Sequence, residues 1–186
     1  MNLPNKITVL RIVLIPAFLF VYLVGPFAEL VNMWVALLLF VTAAITDAID
    51  GYLARKLKLE SNFGKLMDPL ADKLLACSTL VAFVHTGVVP VWAVIVIIAR
   101  EFYISGLRQL ALEQGIVLAA SASGKFKMVL QMVLIIYVIL PTPFTLLVFP
   151  VVVTGLVIIT TLASVYSAVD YTRRNIRLFC STPEGR

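Results

Sequence analysis

The chain has 186 residues, 61% of them hydrophobic and 13% charged. A soluble domain carries about 25% charged residues, so the composition excludes an ordinary soluble globule and points to a membrane-spanning chain. The formal charge of +5 would suit nucleic acid in a soluble protein. Here the basic residues flank apolar runs, which fits membrane orientation and anionic lipid and excludes a nucleic-acid partner.

A spanning helix needs about 20 mostly apolar residues. Residues 12–28 carry no charge and lack the pattern of a removed signal peptide, so the first predicted helix, about 8–27, is a retained span. The uncharged run 30–46 heads a second helix, 30–54. Residues 74–99 are also uncharged but too long for one span, and they break near His85-Thr86-Gly87 and Pro90. Helices 64–85 and 89–112 follow. The uncharged run 128–169 breaks at Pro141-Thr142-Pro143 and supplies helices 122–140 and 145–171. The expected fold is an all-α integral membrane protein with six transmembrane helices in one domain, residues 1–186. With six spans, both termini share a side with the second-to-third and fourth-to-fifth connections. All 15 Lys and Arg fall on that side or on the helix halves approaching it. The asymmetry predicts that both termini are cytoplasmic. The two cysteines, Cys77 and Cys180, are far apart and suggest neither a disulfide framework nor a thiolate metal site.

Two segments break the apolar rule. The second helix ends with Asp47, Asp50, Gly51, Ala54 and Arg55; the third begins with Gly64, Asp68 and Asp72. Asp47 and Asp50 are three apart and Asp68 and Asp72 four apart, so each pair shares a helix face. A short connection makes the helices antiparallel neighbours, and four carboxylates then converge near the cytoplasmic face. Four bare carboxylates would repel and cost heavily in desolvation. Divalent metal relieves this, and hard oxygen ligands without His or Cys suit Mg²⁺ or Mn²⁺ rather than Zn²⁺. Paired ions bridged by carboxylates serve displacement at phosphorus. Gly51 and Ala54 leave room beside Asp47 for a bulky ligand, Gly64 opens the facing helix, and Arg55 would clamp a phosphate. The bland alternative is that these acids are interfacial and pair with Arg55, Lys65 and Lys73.

The string Asp47-x2-Asp50-Gly51-x2-Ala54-Arg55-x8-Gly64-x3-Asp68-x3-Asp72 resembles the motif of the CDP-alcohol phosphatidyltransferases, with every motif position filled. Residues 2–8 with Arg11 look like that family's amphipathic N-terminal segment. Arg100-Glu101-Phe102, Ser105-Gly106-Leu107-Arg108 and Gly124-Lys125-x-Lys127 resemble the bacterial phosphatidylglycerophosphate synthases within it, with Met128 standing where a threonine is expected. The resemblance implies one ion on Asp47, Asp50 and Asp68 and another on Asp47, Asp68 and Asp72. It implies that Asp72 is the general base and that Gly51, Arg55 and Ser61 contact the CDP moiety, with Asn5 and Thr8 nearby. It further implies a homodimer at the cytoplasmic membrane, whose substrates are CDP-diacylglycerol and sn-glycerol 3-phosphate.

Arg100 lies ~16 Å into the fourth helix at 1.5 Å per residue, too deep for easy snorkelling. Glu101 and Arg108 are seven apart and share a face, which suggests a pair. Arg100 then needs another anionic partner. Arg100, Arg108, Lys125 and Lys127 together would form a basic pocket for an acceptor phosphate; internal ion pairing and headgroup snorkelling are the alternatives. Other acceptors, phosphatidylglycerol or inositol phosphate, remain open from the residues alone. A divalent-cation transporter shares the intramembrane acids but needs polar residues along a path to the far side, and helices three to six offer almost none there.

Overall fold

A computed structural model of the chain describes residues 3–57, 62–116, 118, 121–140 and 149–176. Side chains are described throughout these except at 3–8, 47–57, 62–69, 72 and 149. Among the described residues there are six helices and no strand: α1 (Leu3–Val24), α2 (Glu29–Leu57), α3 (Asn62–His85), α4 (Val91–Glu113), α5 (Ala122–Ile139) and α6 (Phe149–Arg174). The N-terminal segment is not a separate element, because α1 begins at Leu3 and runs unbroken into the first apolar stretch. Pro4 falls in the first turn of α1, where its missing N–H is no loss.

The helices bury what a soluble protein exposes. Leu38, Val151 and Leu162 are 68%, 73% and 64% exposed, while Thr79, Thr160, Ser164 and Ser167 are fully buried. In water such an apolar exterior would drive association; against lipid tails it is at no disadvantage. Two of the buried hydroxyls donate to carbonyls one turn back, Thr79 to Leu75 O (2.8 Å) and Ser164 to Thr160 O (2.8 Å). Three stretches, Glu29–Thr46, Ala122–Ile139 and Pro150–Arg174, are long and apolar enough to cross a membrane, and shorter apolar helices cover Val9–Val24 and Lys73–His85. The 23-residue helix α4 carries Arg100, Glu101 and Arg108, which composition alone disfavours as a span. Polar partners within the protein reduce the cost of placing these residues in lipid. The chain is an all-α membrane protein.

The chain divides into two compact units, residues 1–88 with 135–150 and residues 89–134 with 151–186. In the first, α1 packs along both α2 and α3. The α1–α2 turn is closed by Asn32, whose Oδ1 accepts from Phe27 N–H (3.0 Å) and whose Nδ2 donates to Phe27 O (2.7 Å). A run of rings joins the three helices: Phe18 contacts Phe40 at 5.8 Å between centroids, and Tyr22 contacts Phe83 at 5.5 Å. α3 ends where Gly87, at φ 72°, donates to Val84 O and Val88 N–H donates to Phe83 O, both at 3.0 Å. This paired closure needs a left-handed residue, which only glycine adopts freely. In the second unit, Ile104, Leu107 and Tyr171 form a buried cluster with Leu118 packed on it. Ser121 caps α5 by accepting from Gly124 N–H at 3.1 Å.

Candidate functional site

In the first unit, each helix has a buried stripe that leads toward the predicted site. On α2, Ala36, Phe40 and Ala43 are fully buried, and the same spacing continues to positions 47, 50 and 54. On α3, Phe83, Thr79 and Leu75 are buried and lead back to 72 and 68. On α1, Phe18, Ile15 and Arg11 are buried and lead back to 8 and 5. The ring contacts set the levels. Two turns from Phe18 is position 11, and two turns from its partner Phe40 in the antiparallel α2 is position 47. Three turns back from Tyr22 is again position 11, and three turns back from Phe83 in the parallel α3 is position 72. Positions 11, 47 and 72 therefore share a level by backbone register. Arg11 is 0% exposed, a buried cation that the sequence placed only in an N-terminal entry segment.

The backbone thus puts Asp47, Asp50, Gly51, Ala54 and Arg55 on α2, Gly64, Asp68 and Asp72 on α3, and Asn5 and Thr8 on α1. Their side chains lie outside the described residues, as does Ser61 altogether. The donor set itself, four aspartates and no His or Cys at positions that follow the buried stripes by helical spacing, suits hard divalent cations.

The second unit holds a buried polar network that the sequence only partly foresaw. Glu101 Oε1 accepts from Arg100 Nη1 at 2.9 Å and also from Lys127 Nζ. Arg100 Nη2 donates to Ser167 Oγ at 2.6 Å, and Lys127 Nζ donates to Gln131 Oε1. The Arg100 side chain is 10% exposed and that of Lys127 is 2% exposed. Among the described residues, the buried Arg100 Nε has no hydrogen-bond partner. A Cβ at Gly124 would stand 3.2 Å from Arg100 Nη2, so a side chain there would crowd the guanidinium. Of the four predicted acceptor residues, the structure brings Arg100 and Lys127 together through Glu101. Lys125 is exposed. Arg108 is exposed too and turns to Tyr171, donating from Nε to its hydroxyl at 3.2 Å with the guanidinium 5.7 Å from the ring centre. The pairing of Glu101 with Arg108 suggested by their spacing is not made. Arg100 precedes Glu101 in the chain and Lys127 reaches it from α5, so the carboxylate is already engaged.

Sequence reasoning passed over Gln131, Ser167 and Tyr171. A signal was present: Gln131 lies four residues after Lys127, and Thr160, Ser164, Ser167 and Tyr171 recur at three- and four-residue spacing as a polar stripe on an otherwise apolar helix. Asp170 is also tied across helices, accepting from Ser123 Oγ at 2.6 Å and from Arg174 Nε at 2.7 Å. Met128 is 45% exposed, so the residue that departs from the expected threonine faces outward.

Comparison with known proteins agrees with the motif. A family model described as CDP-alcohol phosphatidyltransferase matches residues 1–166. The CDP-diacylglycerol–glycerol-3-phosphate 3-phosphatidyltransferase of Bacillus subtilis (strain 168) is 45% identical over 159 residues, 80% of this chain and 82% of that protein. The "Probable phosphatidylglycerophosphate synthase" of Mycobacterium tuberculosis (strain ATCC 25618 / H37Rv) is 38% identical over 176 residues, 95% of this chain and 82% of that one. The CDP-diacylglycerol–glycerol-3-phosphate 3-phosphatidyltransferase of Rickettsia bellii (strain RML369-C) is 40% identical over 132 residues, 70% and 71% of the two chains. With nine-tenths of its length matched by that model and the motif complete, the chain belongs to the CDP-alcohol phosphatidyltransferase family.

Proposed function

We propose that the chain transfers the phosphatidyl group of CDP-diacylglycerol to sn-glycerol 3-phosphate, giving phosphatidylglycerophosphate and CMP. The observation that carries this reading is the family match over residues 1–166, which contains the whole aspartate motif. Relatives named for this activity support the choice of acceptor, and so does a buried pair of cations, Arg100 and Lys127, sharing one carboxylate.

Asp47, Asp50 and Asp68 would hold one Mg²⁺ or Mn²⁺ ion and Asp47, Asp68 and Asp72 a second; the family is generally divalent-metal dependent. Bound there, the ions would neutralise the diphosphate and the CMP that departs. Asn5, Thr8, Gly51, Ala54, Arg55, Ser61 and Gly64 accommodate the CDP-lipid. Arg100, Arg108, Lys125 and Lys127 bind the acceptor's phosphate. Asp72 removes the proton from the acceptor hydroxyl as its oxygen attacks the lipid-side phosphorus, and the bond to CMP breaks. The one-sided distribution of the 15 basic residues supports placing both termini and the chemistry on the cytoplasmic side of the cell membrane. Family resemblance supports a homodimer whose single domain spans residues 1–186.

The test is an acceptor panel. Purified protein is supplied with CDP-diacylglycerol and Mn²⁺, and CMP release is followed with sn-glycerol 3-phosphate, phosphatidylglycerol, inositol phosphate and serine. CMP is expected with glycerol 3-phosphate alone. CMP with a different alcohol only would overturn the acceptor and keep the class.

A further inference from the structure

We infer that Glu101 is the positioning residue of the acceptor-phosphate site: one of its carboxylate oxygens bridges Arg100 and Lys127 and holds the two cations side by side. The inference rests on the proposed acceptor site and assigns a role to a residue that site did not include. Two like charges brought from different helices into a dry interior repel each other strongly. Left alone, each long side chain would swing toward water or a lipid headgroup. Glu101 Oε1 prevents this by accepting from both. The outer flanks are fixed as well. Ser167 holds Arg100 Nη2 at 2.6 Å, Gln131 holds Lys127, and Gly124 leaves the guanidinium its space. Among the described residues the buried Arg100 Nε is a donor with no partner, and a ligand oxygen would satisfy it. The arrangement is a two-pronged clamp with Glu101 as its hinge pin.

The experiment measures KM for glycerol 3-phosphate and for CDP-diacylglycerol in Glu101→Gln, Glu101→Asp, Lys127→Met and the double variant Glu101→Gln/Lys127→Met. Glu101→Gln should raise KM for glycerol 3-phosphate roughly tenfold, the scale of one lost charge-assisted hydrogen bond, and leave KM for CDP-diacylglycerol within about twofold. Glu101→Asp, which keeps the charge on a shorter stem, should recover part of the loss. Because Glu101 acts through both Lys127 and Arg100, the double variant should raise KM for glycerol 3-phosphate by less than the product of the two single effects. Equal rises in both KM values, or additive effects in the double variant, would overturn the positioning role. If Lys127→Met leaves KM for glycerol 3-phosphate at the wild-type value, the acceptor site itself is wrong and the inference falls with it. If Lys127→Met raises that KM and Glu101→Gln does not, the inference alone fails. Should Glu101→Gln not fold, Glu101→Asp is the deciding variant: its KM for glycerol 3-phosphate must rise while that for CDP-diacylglycerol does not.

Discussion

Asp72 and Glu101 are two acids of one membrane chain to which different uses are assigned. Asp72 is assigned to a metal and to the acceptor's proton, so its removal should strike the chemical step. Asp72→Asn keeps the shape and loses the base. We expect turnover to fall by ~10²–10⁴-fold, the usual contribution of a positioned general base, while CDP-lipid binding persists in part. Single-turnover CMP release beside equilibrium binding of the CDP-lipid separates the two, and wild-type turnover at saturating Mn²⁺ would remove Asp72 from the role. Glu101 instead meets cations, and its neighbour Arg100 was legible from depth alone: a guanidinium that far into an apolar helix needs a partner. The identity of the partner was not legible. Spacing on α4 favoured Arg108 with Glu101, whereas Lys127 arrives from another helix and Arg108 settles on Tyr171.

Helix number and order could be read from the chain because lipid imposes a strong local rule. Backbone groups in a bilayer must pair internally, so an uncharged run of sufficient length is a helix. The division of residues 74–99 fell where Gly87 supplies the left-handed closure of α3. The start of α1 was less legible, since Lys6 and Arg11 interrupt the apolar pattern while the helix continues through them. Arg11 proved to lie on the buried stripe, a position that single-helix hydropathy marks as unfavourable and that packing against α2 and α3 makes possible. At this scale the α1–α2 hairpin offers a test. Asn32→Ala removes both hydrogen bonds that Asn32 makes to Phe27. It should lower stability by about 1–2 kcal/mol, seen as an earlier thermal transition in detergent, with both KM values unchanged. A shifted KM for either substrate would show that the turn is not merely structural.

For the whole molecule, the outward apolar surface is the main constraint. Leu162 is 64% exposed in the middle of α6. In a soluble protein Leu162→Arg would be nearly neutral, within about 0.5 kcal/mol. Facing lipid it should disfavour insertion by ~2.5–3.5 kcal/mol, read as a reduced membrane-fraction yield and a larger degraded or aggregated fraction. Unchanged yield would contradict lipid exposure of that face. What the chain determined by itself was whatever depends on neighbours along it: the helix count, the one-sided basic residues, and the spacing of four aspartates that marks the family. What only the tertiary structure decided was which charges meet. Arg100 and Lys127 share Glu101, Ser167 accepts from Arg100, Gln131 accepts from Lys127, and Tyr171 takes Arg108. The physical reason is rotational. Periodicity says which residues share a face of one helix, but the turn and depth of that helix against its neighbours are set by packing, and contacts inside a membrane depend on both.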